Sequence, residues 1–170
     1  MHARLREVRN KAVSRSGAAW HWSAVTVNRG YEAACHVDGN NLGPSIIRSW
    51  PNPEDTLWYW PDMCARDIPS LDASSAVRLD IGVSGHLHTF DGNCPHMTAA
   101  VHSNIHERFS IIFFQTRRGW NAPRDVISNV RRLGFNPASS EREARTFAQR
   151  YDALTDGSGH ASWPLTSALS

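Results

Sequence analysis

The residues best suited to chemistry are a histidine and an aspartate two positions apart, His36 and Asp38, at the end of the run Val27 to Asp38. In an extended chain, residues i and i+2 point to the same side, so one imidazole and one carboxylate can converge on a single cation. Such pairs are common by chance, and two ligands do not make a site. A third donor is offered by His96, which follows the strand-like stretch Leu87–Phe90 and an Asp91-Gly92 turn. Two histidines and one carboxylate on one face of a metal leave three adjacent positions open, which suits non-haem Fe(II) binding a 2-oxo acid and dioxygen. The same three side chains also accept Mn, Co or Zn. The far carboxylate of a 2-oxo acid needs a fixed cation, and a guanidinium supplies a planar fork for it. Arg108, at the head of the apolar run Phe109–Phe114, meets that need, with Ser110 on the same strand face.

These residues need a scaffold of short strands. From Trp20 to Phe114 the chain alternates brief apolar stretches with Gly, Pro, Asn and Asp. The spacing predicts strands at Ala24–Val27, Ser45–Trp50, Leu57–Trp60, Val77–Ile81, Leu87–Phe90, Ala99–His102 and Phe109–Phe114. So many short strands imply a sandwich or barrel. Before them, Leu5, Val8 and Ala12 have helical spacing among basic residues. Beyond Trp120 the period changes again: Val126, Ile127, Val130 and Leu133 mark one helix face, stopped by Gly134 and Pro137. A second helix opens on a Ser140/Glu143 capping box and carries the stripe Ala144, Phe147, Ala148, Tyr151 and Leu154. The expected organisation is a basic extension over 1–19, a β core over 20–120, two helices over 121–155 and a loose tail over 156–170.

The ordered blocks VNRGYEAACHVDGNNLGPS (Val27 to Ser45), LWYWP, LHTFDGNCPH and ERFSIIFF resemble the 2-oxoglutarate/Fe(II)-dependent dioxygenase superfamily, over about residues 24 to 118. More narrowly they resemble its TET/JBP-like branch and the protist and algal relatives of that branch. The resemblance implies a mainly β fold, a double-stranded β-helix (jelly-roll) with flanking helices. It implies iron ligation by His36, Asp38 and His96, and capture of the 2-oxoglutarate distal carboxylate by Arg108 with help from Ser110. The implied reaction consumes dioxygen, decarboxylates 2-oxoglutarate to succinate and hydroxylates a C–H bond. In members that oxidise nucleic acids, an asparagine at the spacing of Asn41 from His36 contacts the target base, which makes Asn41 a candidate substrate residue; the other reading is that it shapes the turn leaving the metal strand. One departure stands out. Where related sequences carry a Gly-Gly pair before the strand corresponding to Leu57–Trp60, this chain has Pro51-Asn52-Pro53-Glu54-Asp55-Thr56.

Composition bounds the remaining choices. With 170 residues, 41% hydrophobic and 20% charged, the chain is expected to fold as one domain. The net charge of +2 is uneven, with Arg4, Arg6, Arg9, Lys11 and Arg15 early and Arg117, Arg118, Arg124, Arg131 and Arg132 late, so DNA or RNA is a candidate partner. Cys35, Cys64 and Cys94 form no CxxC pair, as expected of a reducing, intracellular setting. No apolar run is long enough to cross a bilayer, so a soluble protein is expected, of undetermined oligomeric state. His86 and His88 repeat the i, i+2 pattern but have no third donor beside them, and are read as surface or packed imidazoles. Trp20, Trp22, Trp50, Trp58, Trp60 and Trp120 are read mostly as core, with one or two available to stack on a ligand. Two other readings of the chain are a protein side-chain hydroxylase of the prolyl type and a catalytically degenerate β-helix acting as a binding module.

Overall fold

The computed structural model describes residues 21–82, 86–98, 108–144 and 161–164. Among these residues eight strands are found: β1 (Ala24–Arg29), β2 (Ser45–Trp50), β3 (Leu57–Tyr59), β4 (Val77–Leu79), β5 (His86–Phe90), β6 (His96–Thr98), β7 (Phe109–Phe114) and β8 (Ala161–Pro164). They form two antiparallel sheets, a five-stranded one in the order β1-β7-β2-β5-β8 and a three-stranded one in the order β4-β3-β6. The protein is thus mainly β with few helices. Among the described residues no helix is long and apolar enough to cross a membrane, and Cys35, Cys64 and Cys94 are free thiols.

Side-chain alternation along the interior strand β7 explains how the layers form. Ile111 and Phe113 join Trp22, Ile46 and Leu87 in one apolar cluster, over which Val25, Trp50 and Phe135 pack. Ile112, pointing the other way, packs on a second cluster of Ile47, Leu57, Tyr59, Leu79, Ile81 and Phe90. That second cluster joins the two sheets, because its members come from both. The period of two in the sequence therefore becomes two cores on opposite faces of the larger sheet.

Most strands lie where the apolar runs place them. His96 follows β5 and the Asp91-Gly92 turn as expected, and it also begins a further strand, β6, pairing with β3 at Tyr59. The predicted strand Ala99–His102 and the N-terminal helix lie outside the described residues. The first C-terminal helix, α1 (Arg124–Arg132), is present, and Gly134 ends it with φ 98°, a backbone state that suits glycine. Its apolar face is not a core stripe, however: no α1 residue is buried, Val126 is 41% exposed, and Leu133 just beyond its end is 60% exposed. Just past α1, the Phe135 ring lies 4.6 Å from that of Trp22, beside the Trp22–Asn136 backbone bridge, and packs on the first cluster.

At residues 141–144 a second helix begins. Glu143 N–H donates to Ser140 Oγ at 3.1 Å, but the Glu143 carboxylate accepts from the Ser139 backbone at 2.6 Å rather than from Ser140. The capping box is displaced by one residue on that side. Ala144 is buried, and the rest of the predicted stripe lies outside the described residues. Within the tail read as loose, Ala161–Pro164 instead pairs with β5 and extends the larger sheet. Of the tryptophans, Trp22 and Trp60 are buried while Trp50 and Trp58 are partly exposed.

Core position and surface position separate cleanly in expected stability. Ile81 is fully buried in the inter-sheet cluster, so Ile81→Ala is expected to cost about 2–5 kcal/mol by equilibrium denaturation. Leu133→Ala is expected to change stability by no more than about 0.5 kcal/mol. A loss at Ile81 no larger than that at Leu133 would contradict the packing described.

Candidate metal centre

His36 and His96 face each other across an antiparallel backbone bridge. His36 N–H donates to His96 O and His96 N–H to His36 O, both at 3.0 Å. Residues paired in this way project their side chains to the same face, and the two imidazole centroids are 4.3 Å apart. The pairing continues at Thr98, whose N–H donates to Ala33 O at 3.2 Å. The segment before Asp38 therefore runs along the free edge of β6. Asp38, two residues past His36, returns to the same side, and its N–H donates to Gly92 O.

The ring nitrogens are oriented from behind. His36 Nδ1 lies 2.8 Å from Ala34 O and His96 Nδ1 lies 2.9 Å from Cys94 O. A carbonyl can only accept, so each Nδ1 carries the proton and each Nε2 presents a lone pair. Both lone pairs converge on Asp38: His36 Nε2 is 3.6 Å from Oδ1 and His96 Nε2 is 3.8 Å from Oδ2. These separations exceed a hydrogen bond. Three electron-rich atoms, all within 4.8 Å of one another, gather without bonding to each other, an arrangement that a shared cation stabilises. Donors bound to one metal at about 2.0–2.2 Å stand roughly 3–3.5 Å apart, so small side-chain rotations bring the set onto one ion. Two imidazole nitrogens, a carboxylate and the carbonyl partners behind the rings all fit a divalent transition metal.

Burial is graded across the site. His96 is 5% exposed in its side chain, against 42% for His36 and 36% for Asp38. Burial pushes the His96 pKa below the ordinary histidine value, helped by neighbouring His36 and opposed by the Cys94 hydrogen bond and the Asp38 charge. His96 is thereby kept neutral and ready to donate. Phe90 lies edge-on to its ring at 4.9 Å, which closes the inner side. The open side is that of His36 and Asp38.

Asn41, the candidate substrate residue, is buried and braces Asp38. Its Nδ2 donates to Asp38 Oδ2 at 3.1 Å and to Ser45 Oγ at 3.2 Å, and its backbone N–H donates to Asp38 O at 2.9 Å. Both amide protons are engaged, so the structure gives this side chain a bracing role in addition to shaping the turn. Gly92 matters for a related reason. A Cβ there would lie 2.7 Å from Asn41 Nδ2, 3.1 Å from Asp38 Oδ2 and 3.2 Å from Asp38 Cβ. Arg117 ties the same loops together, donating from Nε to Gly39 O at 3.0 Å and from Nη2 to Asn93 Oδ1 at 2.9 Å. Sequence reasoning saw Gly92 only as a turn residue and Arg117 only as positive charge.

Arg108 and Ser110 lie in the same cavity as the His36–Asp38–His96 cluster. The cavity has a volume of about 570 Å³ and is lined by His36, Asp38 and His96, by Arg108 and Ser110, and by the apolar side chains of Ile47, Leu57, Phe90, Ile112 and Phe114. Ser110, Ile112 and Phe114 are alternate residues of β7, which is why all three face it. Ser110 Oγ accepts from Asn28 Nδ2 of β1 at 3.3 Å, opposite it in the strand register. Arg108 is buried, with Nε donating to Asp55 Oδ2 and Nη1 to Tyr31 O, each at 3.1 Å. Asp55 carried no signal in the sequence reading beyond its place in the Pro51–Thr56 segment. A second cavity, of about 840 Å³, runs beside α1 and is lined by Arg124, Arg131 and Arg132 with Ser128 and Ser139. The early basic cluster lies outside the described residues. His88 is a packed imidazole, buried in β5.

Comparison of the chain with protein-family models, with curated proteins and with solved structures returns no match.

Two outcomes follow from this geometry. Asn41→Ala and Gly92→Ala are each expected to weaken divalent-metal affinity by about 10–100-fold, read by calorimetric titration with Mn(II), while leaving the protein folded. For pH, the folded pKa of His96 lies below its unfolded value of about 6.5, so the unfolded chain takes up that proton first as pH falls. The metal-free protein is therefore expected to lose stability between about pH 7 and pH 5, and His96→Asn to flatten that slope. Equal loss of stability between those pH values in the wild type and in His96→Asn, by equilibrium denaturation, would remove His96 as a cause.

Proposed function

We propose that the chain is an Fe(II)- and 2-oxoglutarate-dependent dioxygenase built on a double-stranded β-helix. The observation that carries this reading is a single cavity lined at once by a two-histidine, one-carboxylate cluster and by a buried arginine with a serine on the same strand. The strand path supports the fold. β1, β2, β5 and β7 lie in the larger sheet, while β3, β4, β6 and the His36 segment lie on the other side. Successive segments thus wind back and forth between two facing layers, as a jelly-roll requires.

His36, Asp38 and His96 would hold the metal, through Nε2, a carboxylate oxygen and Nε2. A bound Fe(II) would supply a centre at which dioxygen is reduced, one oxygen atom passing to succinate as 2-oxoglutarate loses carbon dioxide and the other to a C–H bond of the substrate. The chain's own residues do the binding and ordering. Arg108 offers the N–H groups not engaged by Asp55 and Tyr31 to the distal carboxylate of 2-oxoglutarate, and the Ser110 hydroxyl adds a further hydrogen bond. Ile47, Leu57, Phe90, Ile112 and Phe114 exclude water, which strengthens the attraction between that carboxylate and the guanidinium. The exposed side of His36 and Asp38 leaves an approach for the primary substrate.

For that substrate we favour a base in DNA or RNA. The cavity beside α1 lined by Arg124, Arg131 and Arg132 offers a surface for phosphates. A base within a duplex would have to be flipped out of the stack to reach the metal. Oligonucleotide binding that weakens steeply with salt supports this choice; salt-insensitive or absent binding favours a protein side chain instead.

The decisive test is anaerobic titration of Fe(II) into the protein with excess 2-oxoglutarate, following the weak visible charge-transfer band of the chelate. The band is expected in the wild type, and loss of succinate formation is expected in His36→Ala and Asp38→Ala. Folded protein that takes up Fe(II) but gives no band would overturn the oxygenase reading in favour of a degenerate binding module.

A further inference from the structure

We infer that Asp55 is the positioning residue that locks the Arg108 guanidinium in the orientation its carboxylate ligand needs. The Pro51–Thr56 loop, where this chain departs from the Gly-Gly pattern, then forms part of the co-substrate site. The inference rests on the reading of Arg108 given above. It starts from a charge buried without solvent: Asp55 is fully buried and Arg108 is 4% exposed. Asp55 Oδ2 accepts from Arg108 Nε at 3.1 Å and also from Ser49 Oγ. Asp55 Oδ1 is buried with no hydrogen-bond partner among the described residues. An unsatisfied buried carboxylate oxygen is unfavourable, and a buried ion pair is weak evidence for stability as such. Holding the guanidinium in place gives this costly arrangement a purpose.

The loop is built to hold still. Ser49, from β2, is itself fully buried, and its N–H donates to Ile81 O at 2.9 Å. Asp55 N–H donates to Asn52 O at 3.3 Å, and Gly82 N–H donates to Asp55 O at 3.0 Å. A Cβ at Gly82 would fall 1.9 Å from Asn52 O, so only glycine lets the loop lie this close. With Nε held by Asp55 and Nη1 by Tyr31 O, the guanidinium plane is defined at two points. A ligand carboxylate then meets N–H donors already aimed, and the conformational cost of ordering a long side chain is removed from binding.

Charge and geometry predict opposite effects, which makes the idea testable. Removing Asp55 leaves the Arg108 charge uncompensated, so if Asp55 merely offsets charge, Asp55→Ala should bind 2-oxoglutarate as well as the wild type or better. If it positions Arg108, the same variant should bind 2-oxoglutarate at least tenfold more weakly with Fe(II) affinity unchanged, and Asp55→Asn, which keeps an acceptor, should recover most of the loss. Both affinities are read from the Fe(II)/2-oxoglutarate band and from a parallel Mn(II) titration. Should Asp55→Ala fail to fold, Ser49→Ala is the milder variant, and a several-fold weakening in the same direction is expected; no change overturns the inference. The lock is also read without any ligand, from water exchange of the Arg108 Nε–H in ¹⁵N spectra, with the signal assigned by its disappearance in Arg108→Lys. Slow exchange in the wild type and fast exchange in Ser49→Ala support the lock. Fast exchange in the wild type overturns it. Slow exchange together with a wild type that shows no chelate band sinks the oxygenase reading and leaves the Asp55 lock standing.

Discussion

The reciprocal pair of backbone hydrogen bonds between His36 and His96 is the contact on which the rest of the site depends. Antiparallel pairing leaves no freedom about the side to which directly opposed side chains point, so two residues far apart in the chain become neighbours once β6 forms beside the His36 segment. Everything else around the cluster refines that placement. The Ala34 and Cys94 carbonyls set the tautomers, Asn41 and the Asp38 N–H bond to Gly92 O bring the carboxylate in, and Phe90 seals the inner side. A slip of one residue in the β6 register would turn His96 to the other face of its sheet and disperse the cluster.

The second constraint is the burial of Arg108. A guanidinium taken out of water needs a compensating charge and satisfied N–H groups. The fold supplies these from Asp55 and the Tyr31 carbonyl, which reach it from outside its own strand. Arg108 reaches the cavity that holds the candidate metal cluster because the strands flanking that cavity converge on it, β7 from one sheet and β3 and β6 from the other. The same convergence gives the cavity its mixed character, polar along Asn28, Ser110 and Arg108 and apolar along Ile112, Phe114, Leu57 and Phe90.

Local signals carried a good part of the fold. The β-branched and aromatic runs at Ser45–Trp50 and Phe109–Phe114 became strands with those bounds, and Gly134 ends α1 as its type suggests. The failures have particular causes. α1 has an apolar face in sequence, but Ile127 and Val130 are only half-buried and Val126 is exposed, while Phe135 beyond the helix packs on the cluster that contains Trp22. The short β6 has only three residues, too few for periodicity to register, and its existence depends on β3 and the His36 segment on either side. Ala161–Pro164 sits in a Gly- and Ser-rich context that reads as loose, and it is a strand only because the edge of β5 offers it partners.

The sequence by itself determined the donor types and their local geometry: an i, i+2 His-Asp pair must share a face when extended, and Ser110, Ile112 and Phe114 must share one along a strand. It also held the candidates His96 and Arg108 in view, through residue type and order along the chain. Only the tertiary structure decided that these groups line one cavity, that Asn41 braces Asp38, and that Asp55 is the counter-charge of Arg108. The physical reason is that each of these facts is a contact between segments remote in sequence, made by strand register and loop packing. Residue spacing carries information about one strand or one helix at a time, and none about which remote carboxylate will meet a buried guanidinium.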